Sequence, residues 1–216
     1  MDIIKKLAQE LTIKEEQAKA AVQLIDEGNT IPFIARYRKE MTGALNDETL
    51  RNLHERLLYL RNLEEKKEQV INAITEQGKM TDDLKKKILA AETLVAVDDL
   101  YRPYRPKKQT RATKAKEKGL EPLANILLLQ ATSKSMEEEA QSFVDEAKGV
   151  TNAKEALAGA KDIIAEAVSD EADYRTRIRD LTMKKGHVTS TAKDPEAESV
   201  YEMYYEYQEP VKKIAG

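Results

Sequence analysis

Residues 46–76 read NDETLRNLHERLLYLRNLEEKKEQVINAITE. Asn46 is a natural N-cap, because its side-chain oxygen can accept from the unpaired amides of a first helical turn. Leu50, Leu53, Leu57, Leu60 and Leu63 recur at steps of three and four, and Val70, Ile71 and Ile74 resume the pattern. That is the period of one helical face. No Gly or Pro interrupts it, so the stretch predicts a single helix of roughly 30 residues, about 45 Å long. Between the apolar blocks lies Glu64-Glu65-Lys66-Lys67-Glu68-Gln69. A helix that is polar all round usually crosses solvent between two packed bodies. The expectation is a connecting helix over residues 46–77 that joins two lobes; a local exposed bulge is the plainer alternative.

Working outward, residues 1–45 predict three short helices. Ile3, Ile4, Leu7 and Leu11 stripe the first. Thr12 and Glu15 have the spacing of a capping box for the second, which carries Ala18, Ala21, Val22 and Ile25 and ends at Gly28. Pro32 opens the third, where its missing N–H does no harm, and Phe33, Ile34 and Tyr37 follow. Three short helices with tight turns suit a helix-turn-helix-like bundle.

Residues 78–186 predict a larger helical lobe. Thr81, Thr93 and Thr110 cap successive helices, Pro122 starts another, and one runs from Met136 to about Lys148. An Ala-rich helix carries Ala156, Leu157, Ala160, Ile163, Ile164, Ala167 and Val168 on one stripe. Ser169 caps a last helix, acidic at its start and basic at its end, as the helix dipole favours. In the tail, residues 187–216, His187 to Thr191 is the best strand candidate. The fold class is therefore all-α and multi-helical, with at most a short strand or hairpin near the C-terminus. Composition agrees: 8 Gly, 6 Pro and 5% aromatics in 216 residues leave strong helix formers dominant.

The same composition bounds the chemistry. There is no Cys, which removes disulfides, thiolate nucleophiles and cysteine metal sites and suits a reducing compartment. No apolar run approaches the length of a bilayer span, so no membrane role and a cytoplasmic location are expected. Glycine-rich phosphate loops and GxSxG are absent, and His54 and His187 lie far apart. The sequence offers no catalytic residues, no metal ligands, no cofactor and no small-molecule substrate, and the expectation is that this is not an enzyme. An ordinary packed or surface role is expected for His54. His187, after Gly186, is expected to cap helix carbonyls.

Net charge is −3 with 35% charged residues, so the placement of each sign matters more than the total. The stretch from Tyr101-Arg102-Pro103-Tyr104-Arg105-Pro106-Lys107-Lys108 to Arg111, with Lys114 beyond, is strongly basic and carries two tyrosines. Clustered Lys and Arg neutralise phosphates, and Tyr rings stack on unpaired bases. The alternative is that the tyrosines anchor the loop and the cations pair with acidic neighbours. A second cluster, Arg36, Arg38 and Lys39, falls at the third helix, the recognition position of a helix-turn-helix. It could equally pair with Asp47 and Glu48. In the acidic tail, Val200, Met203, Tyr204 and Tyr207 fall on one helical face with Tyr201 beside them. That face either folds back or docks on a partner or another domain.

Two long stretches, Glu27-Gly28-Asn29-Thr30-Ile31-Pro32-Phe33-Ile34-Ala35-Arg36-Tyr37-Arg38-Lys39-Glu40 and Asp99-Leu100-Tyr101-Arg102-Pro103-Tyr104-Arg105-Pro106-Lys107, make the chain resemble the N-terminal region of the Tex family of bacterial transcription accessory proteins. Thr110 to Thr113 and Gly119 to Ala124 extend the likeness, which runs nearly end to end. Arg102 stands where the family commonly has an apolar residue. The resemblance implies a longer protein, in which an RNase-H-like domain, helix-hairpin-helix elements and a C-terminal OB-fold RNA-binding domain follow and bind RNA or DNA. It implies a module that supports and positions those domains, with an auxiliary contact through the basic loop and transcription machinery as a partner. A scaffold that docks on transcription or ribosomal proteins without touching nucleic acid is the rival.

Overall fold

A computed structural model describes residues 1–130 and 132–214. The chain divides into two compact units, Met1–Asp98 and Asp99–Gly216, and the division falls within one short helix.

In the first unit, α1 (Ile3–Glu10), α2 (Glu15–Asp26) and α3 (Ile31–Tyr37) pack on α4 (Asp47–Glu76), followed by α5 (Asp82–Ala90) and the start of α6 (Leu94–Tyr101). Asn46 caps α4 as expected, its Oδ1 accepting from the Thr49 N–H at 2.8 Å. Leu50, Leu53, Leu57 and Leu60 are buried against Leu7, Ala18, Ala21, Leu24 and Ile34. Each such side chain contributes about 1.5–3 kcal/mol when removed from water, which fixes α4 as the axis of this unit.

The polar middle of α4 does not cross solvent unpacked. Lys67 is only 3% exposed. Its ammonium donates to Glu64 Oε1 and to the Leu89 carbonyl, both at 2.9 Å. Leu63, Lys67, Val70 and Ile74 form one buried line, because the long lysine stem packs as an apolar group while its tip finds acceptors. All of α4 lies in the first unit.

The N-cap of α2 also differs from expectation. Thr12 has φ 54, a left-handed turn closing α1, so it cannot hold the extended backbone of a cap. Lys14 takes that position, and Gln17 Oε1 accepts from its N–H at 3.1 Å. The amide of Gln17 then donates to the carbonyls of Thr42 and Gly43 at 3.2 and 2.9 Å. One side chain thereby closes α2 and ties down the loop after α3.

The second unit is built around α10 (Ala153–Asp170), against which α7 (Arg111–Glu117), α8 (Glu121–Leu129) and α9 (Met136–Gln141) pack. Ala112, Ala115, Leu120, Leu123, Ala124, Ala140, Ala156, Ala160 and Ile163 form its core. Small residues let the helices approach closely. A Cβ on Gly159 would lie 2.4 Å from Leu120 Cδ1 and 3.2 Å from Ala115 Cβ.

Two boundaries and one helical face here depart from expectation, while the strand over His187–Thr191 lies where it was expected. α9 stops at Gln141 rather than near Lys148, because Asp145 and Val150 exchange backbone hydrogen bonds of 2.9 Å around a turn that uses Gly149 at φ 72. Ser169 remains inside α10, and Glu171, in extended conformation, separates it from α11 (Ala172–Lys185). Among the described residues of the tail there is no α-helix, only two short 3-10 turns, Glu202–Tyr204 and Val211–Lys213. β1 (His187–Thr191) pairs antiparallel with β2 (Glu206–Pro210) in the register His187 to Pro210 and Thr191 to Glu206. Met203 and Tyr204 sit in a short turn and Tyr207 lies on β2. Val200, Met203, Tyr204 and Tyr207 therefore do not share a helical face, since the chain turns through Glu202–Tyr204 and Tyr207 enters the β2 ladder, whose backbone groups pair with β1.

Gly159→Ala is expected to lower stability by about 1–3 kcal/mol through overpacking. At an open helix position the same change gains roughly 0.5–1 kcal/mol. The urea midpoint distinguishes these signs, and a rise would refute the close approach of α7 and α8 to α10.

Candidate nucleic-acid interface

The basic loop lies in the second unit. Tyr101 ends α6, and residues 102–104 form a tight turn initiated by Pro103. The Arg105 guanidinium stands 5.5 Å from the Tyr101 ring centre. Tyr101 and Tyr104 are half-buried, so they anchor the loop more than they display rings.

Several of the cations are held internally. Arg102 Nε donates to Asp170 Oδ1 at 2.8 Å, and Lys107 donates to Asp170 Oδ2. Lys107 also lies 3.4 Å from Glu166, and Arg111 lies 3.6 Å from Asp162. Asp162, Glu166 and Asp170 stand four residues apart on α10 and so form one row along the helix. That row clamps the loop. Sequence reading passed over it, although the four-residue spacing was there to be found. Lys108 and Lys114 are exposed, and among the described residues neither has an ion-pair partner. An open groove of about 440 Å³ is lined by Arg102, Arg105, Lys107, Lys108, Glu166 and Asp170.

Two buried aspartates organise this region. Asp99 receives Arg175 Nε and Arg179 Nη2, each at 2.6 Å. Burial pushes the carboxyls of Asp99 and Asp170 up. Hydrogen bonds and charge from Arg175 and Arg179, and from Lys107 and Arg102, outweigh it and hold both below the ordinary aspartate value. Asp98, the neighbour of Asp99, turns instead towards Lys66 at 3.5 Å, as adjacent helical positions require.

Arg36, Arg38 and Lys39 belong to the first unit. Arg36 lies in the last turn of α3, and Arg38 and Lys39 follow its end. They do not pair with the acidic start of α4, where Asp47 binds Arg51 at 2.7 Å. In the tail, Val200, Tyr201, Met203 and Tyr204 are exposed, with Val200 at 87% and Met203 at 73%. Tyr207 packs edge-on against Tyr204 at 5.5 Å. His54 is half-buried on α4. His187 opens β1 rather than capping α11, whose end is closed by the Gly186 N–H donating to the Thr182 carbonyl at 2.7 Å. Among the described residues no three His, Asp or Glu side chains are grouped as metal ligands.

Comparison with known proteins gives one family match within each unit. Residues 1–75 match the Tex-like protein N-terminal domain, and residues 131–216 match the Tex central region-like model. The chain is 44% identical to the uncharacterized protein YdcI of Bacillus subtilis, over 96% of its own length and 29% of that protein. It is 43% identical to the transcriptional accessory protein Tex of Neisseria gonorrhoeae, over 99% of this chain and 28% of that one. A human protein, S1 RNA-binding domain-containing protein 1, is 30% identical over 85% of this chain and 18% of its own. The chain thus spans less than a third of these relatives.

Because both aspartates have depressed values when folded, their stabilisation is present above about pH 4, the ordinary aspartate value. It is lost as pH falls through the folded values. Asp99→Asn is expected to cost about 1–3 kcal/mol at pH 7 and to make the decline below pH 4 shallower. Unfolding by urea at pH 7, 4 and 3 checks both, and an unchanged acid slope would remove Asp99 from this role.

Proposed function

Because the chain belongs to the Tex family, we propose that it is the N-terminal helical module of a Tex-like transcription accessory protein. It supports and positions nucleic-acid-binding domains that follow in longer relatives, and it adds an auxiliary contact of its own. The contact is made by the basic loop, through the exposed Lys108 and Lys114, with Arg105 and Arg111 at its edges. One observation carries this reading: the ion pairs to Asp162, Glu166 and Asp170 fix the loop's path, so its exposed cations are held in place before a ligand arrives. Pre-organisation of this kind lowers the entropy lost on binding. The relative named for an RNA-binding domain favours RNA as the nucleic acid. Among the described residues no helix is long and apolar enough to cross a membrane, in keeping with a cytoplasmic place beside the transcription machinery.

A docking role for the tail is the second reading, favoured by the exposure of Val200, Tyr201 and Met203. Such side chains, interspersed along the chain with Glu198, Glu202 and Glu206, suit a protein surface and not a phosphate backbone.

Fluorescence anisotropy with a single-stranded RNA oligonucleotide over a salt series separates the two. The double variant Lys108→Glu, Lys114→Glu is expected to weaken binding and to lower the slope of log affinity against log salt by about 1 per lysine. The serine variants of Val200 and Met203 should bind as the parent does. An unchanged slope in the lysine variant would remove the loop contact.

A further inference from the structure

The first unit carries an arrangement that the loop reading does not use. On α3, Phe33 and Tyr37 are 37% and 60% exposed, although Ile34 between them is fully buried beneath. Their ring centres lie 5.2 Å apart with planes tilted by 46°, so neither ring covers the other face to face. A guanidinium accompanies each. Arg38 stands 5.2 Å from the Phe33 ring centre and Arg36 stands 5.9 Å from that of Tyr37. Among the described residues Arg36, Arg38 and Lys39 have no ion-pair partner, and Glu40 is the one acid within the run Arg36 to Glu40.

The backbone beneath this patch is fixed. The Arg38 N–H donates to the Ile34 carbonyl at 3.0 Å, and the Thr42 and Ala44 N–H groups donate to the Arg38 and Lys39 carbonyls at 3.2 and 2.7 Å. Gln17 holds the carbonyls of Thr42 and Gly43 from below. Exposed rings lose by hydration what a partner would return, and here they stand beside guanidinium groups that have no ion-pair partner among the described residues, Arg38 Nη1 donating to the Tyr37 carbonyl at 3.3 Å.

We propose that Phe33, Tyr37, Arg36 and Arg38 form a stacking platform for unpaired bases of a single-stranded nucleic acid, with Lys39 meeting the phosphates. The assignment rests on the nucleic-acid reading above and deepens it by naming the substrate class and a second contact. Rings beside guanidinium planes and a local excess of positive charge are what single-strand grooves combine. Duplex reading fits less well. α3 has seven residues, Arg38 and Lys39 lie beyond its end, and aromatic faces have nothing to stack on in a closed major groove.

The test uses the whole chain and three probes: a 12-nucleotide oligoadenylate RNA, the same length of oligodeoxyadenylate, and a blunt DNA duplex. The chain has no Trp, so Tyr37→Trp installs a single indole at the platform. Stacking is expected to quench its fluorescence with either single strand and not with the duplex. Tyr37→Ala and Phe33→Ala are expected to weaken single-strand binding by about 5- to 100-fold each while leaving the salt slope unchanged. Arg36→Gln should lower the slope instead. Circular dichroism melting of each variant confirms that the exposed positions leave the fold intact.

If the alanine variants bind as the parent does while Lys108→Glu, Lys114→Glu loses affinity, the platform is overturned and the loop reading stands. If they lose affinity while the loop variant does not, the platform stands and the loop falls. Equal indole quenching by the duplex would overturn the choice of single strands. If the parent binds none of the probes, both readings fall, and the Arg-aromatic patch belongs to a protein contact.

Discussion

Each unit has one helix whose apolar side must be covered, and the neighbouring helices are arranged to cover it. In the first unit the leucines of α4 demand α1, α2 and α3. In the second the small-residue stripe of α10 demands α7, α8 and α9. The two solutions differ in kind. Leucines bury large surface at ordinary helix spacing. Alanines and Gly159 bury less per residue but let backbones come close, so dispersion contacts replace part of what area would have supplied.

Charge is the second theme, and position decides its meaning. A run of Lys and Arg suggests a phosphate-binding face when counted along the chain. In the folded unit, Asp170 takes Arg102 and Lys107, while Glu166 and Asp162 reach Lys107 and Arg111. These pairs divide the run into cations that hold the loop and cations that remain at the surface. Asp99 does similar work for Arg175 and Arg179. A buried carboxylate shared by two cations has its lone pairs met and leaves no uncompensated charge. The outcome is a loop whose path is set by internal electrostatics.

The smaller cluster at the end of α3 behaves in the opposite way. Its arginines lie against rings and not carboxylates, so their charge is still available to a ligand. The proposed auxiliary contacts of this Tex family member therefore come from contrasting designs. One is a basic loop pinned by acids, and the other is an aromatic surface dressed with guanidinium groups.

Periodicity and capping chemistry made the all-α class, α4 from Asn46 onward, the α10 stripe and the β1 strand legible in sequence, because each depends on side chains within a few residues of one another. The basic loop and the Arg36 cluster were equally visible as composition. Only the tertiary structure decided which cations were consumed, since Asp170 lies 68 residues from Arg102 and 63 from Lys107. It also decided that Lys67 is buried, through a carbonyl 22 residues away, and that the tail pairs as a hairpin instead of coiling. Local patterns fix helices because their hydrogen bonds are local. Burial and ion pairing couple residues that only the folded chain brings together, so no window of sequence contains them.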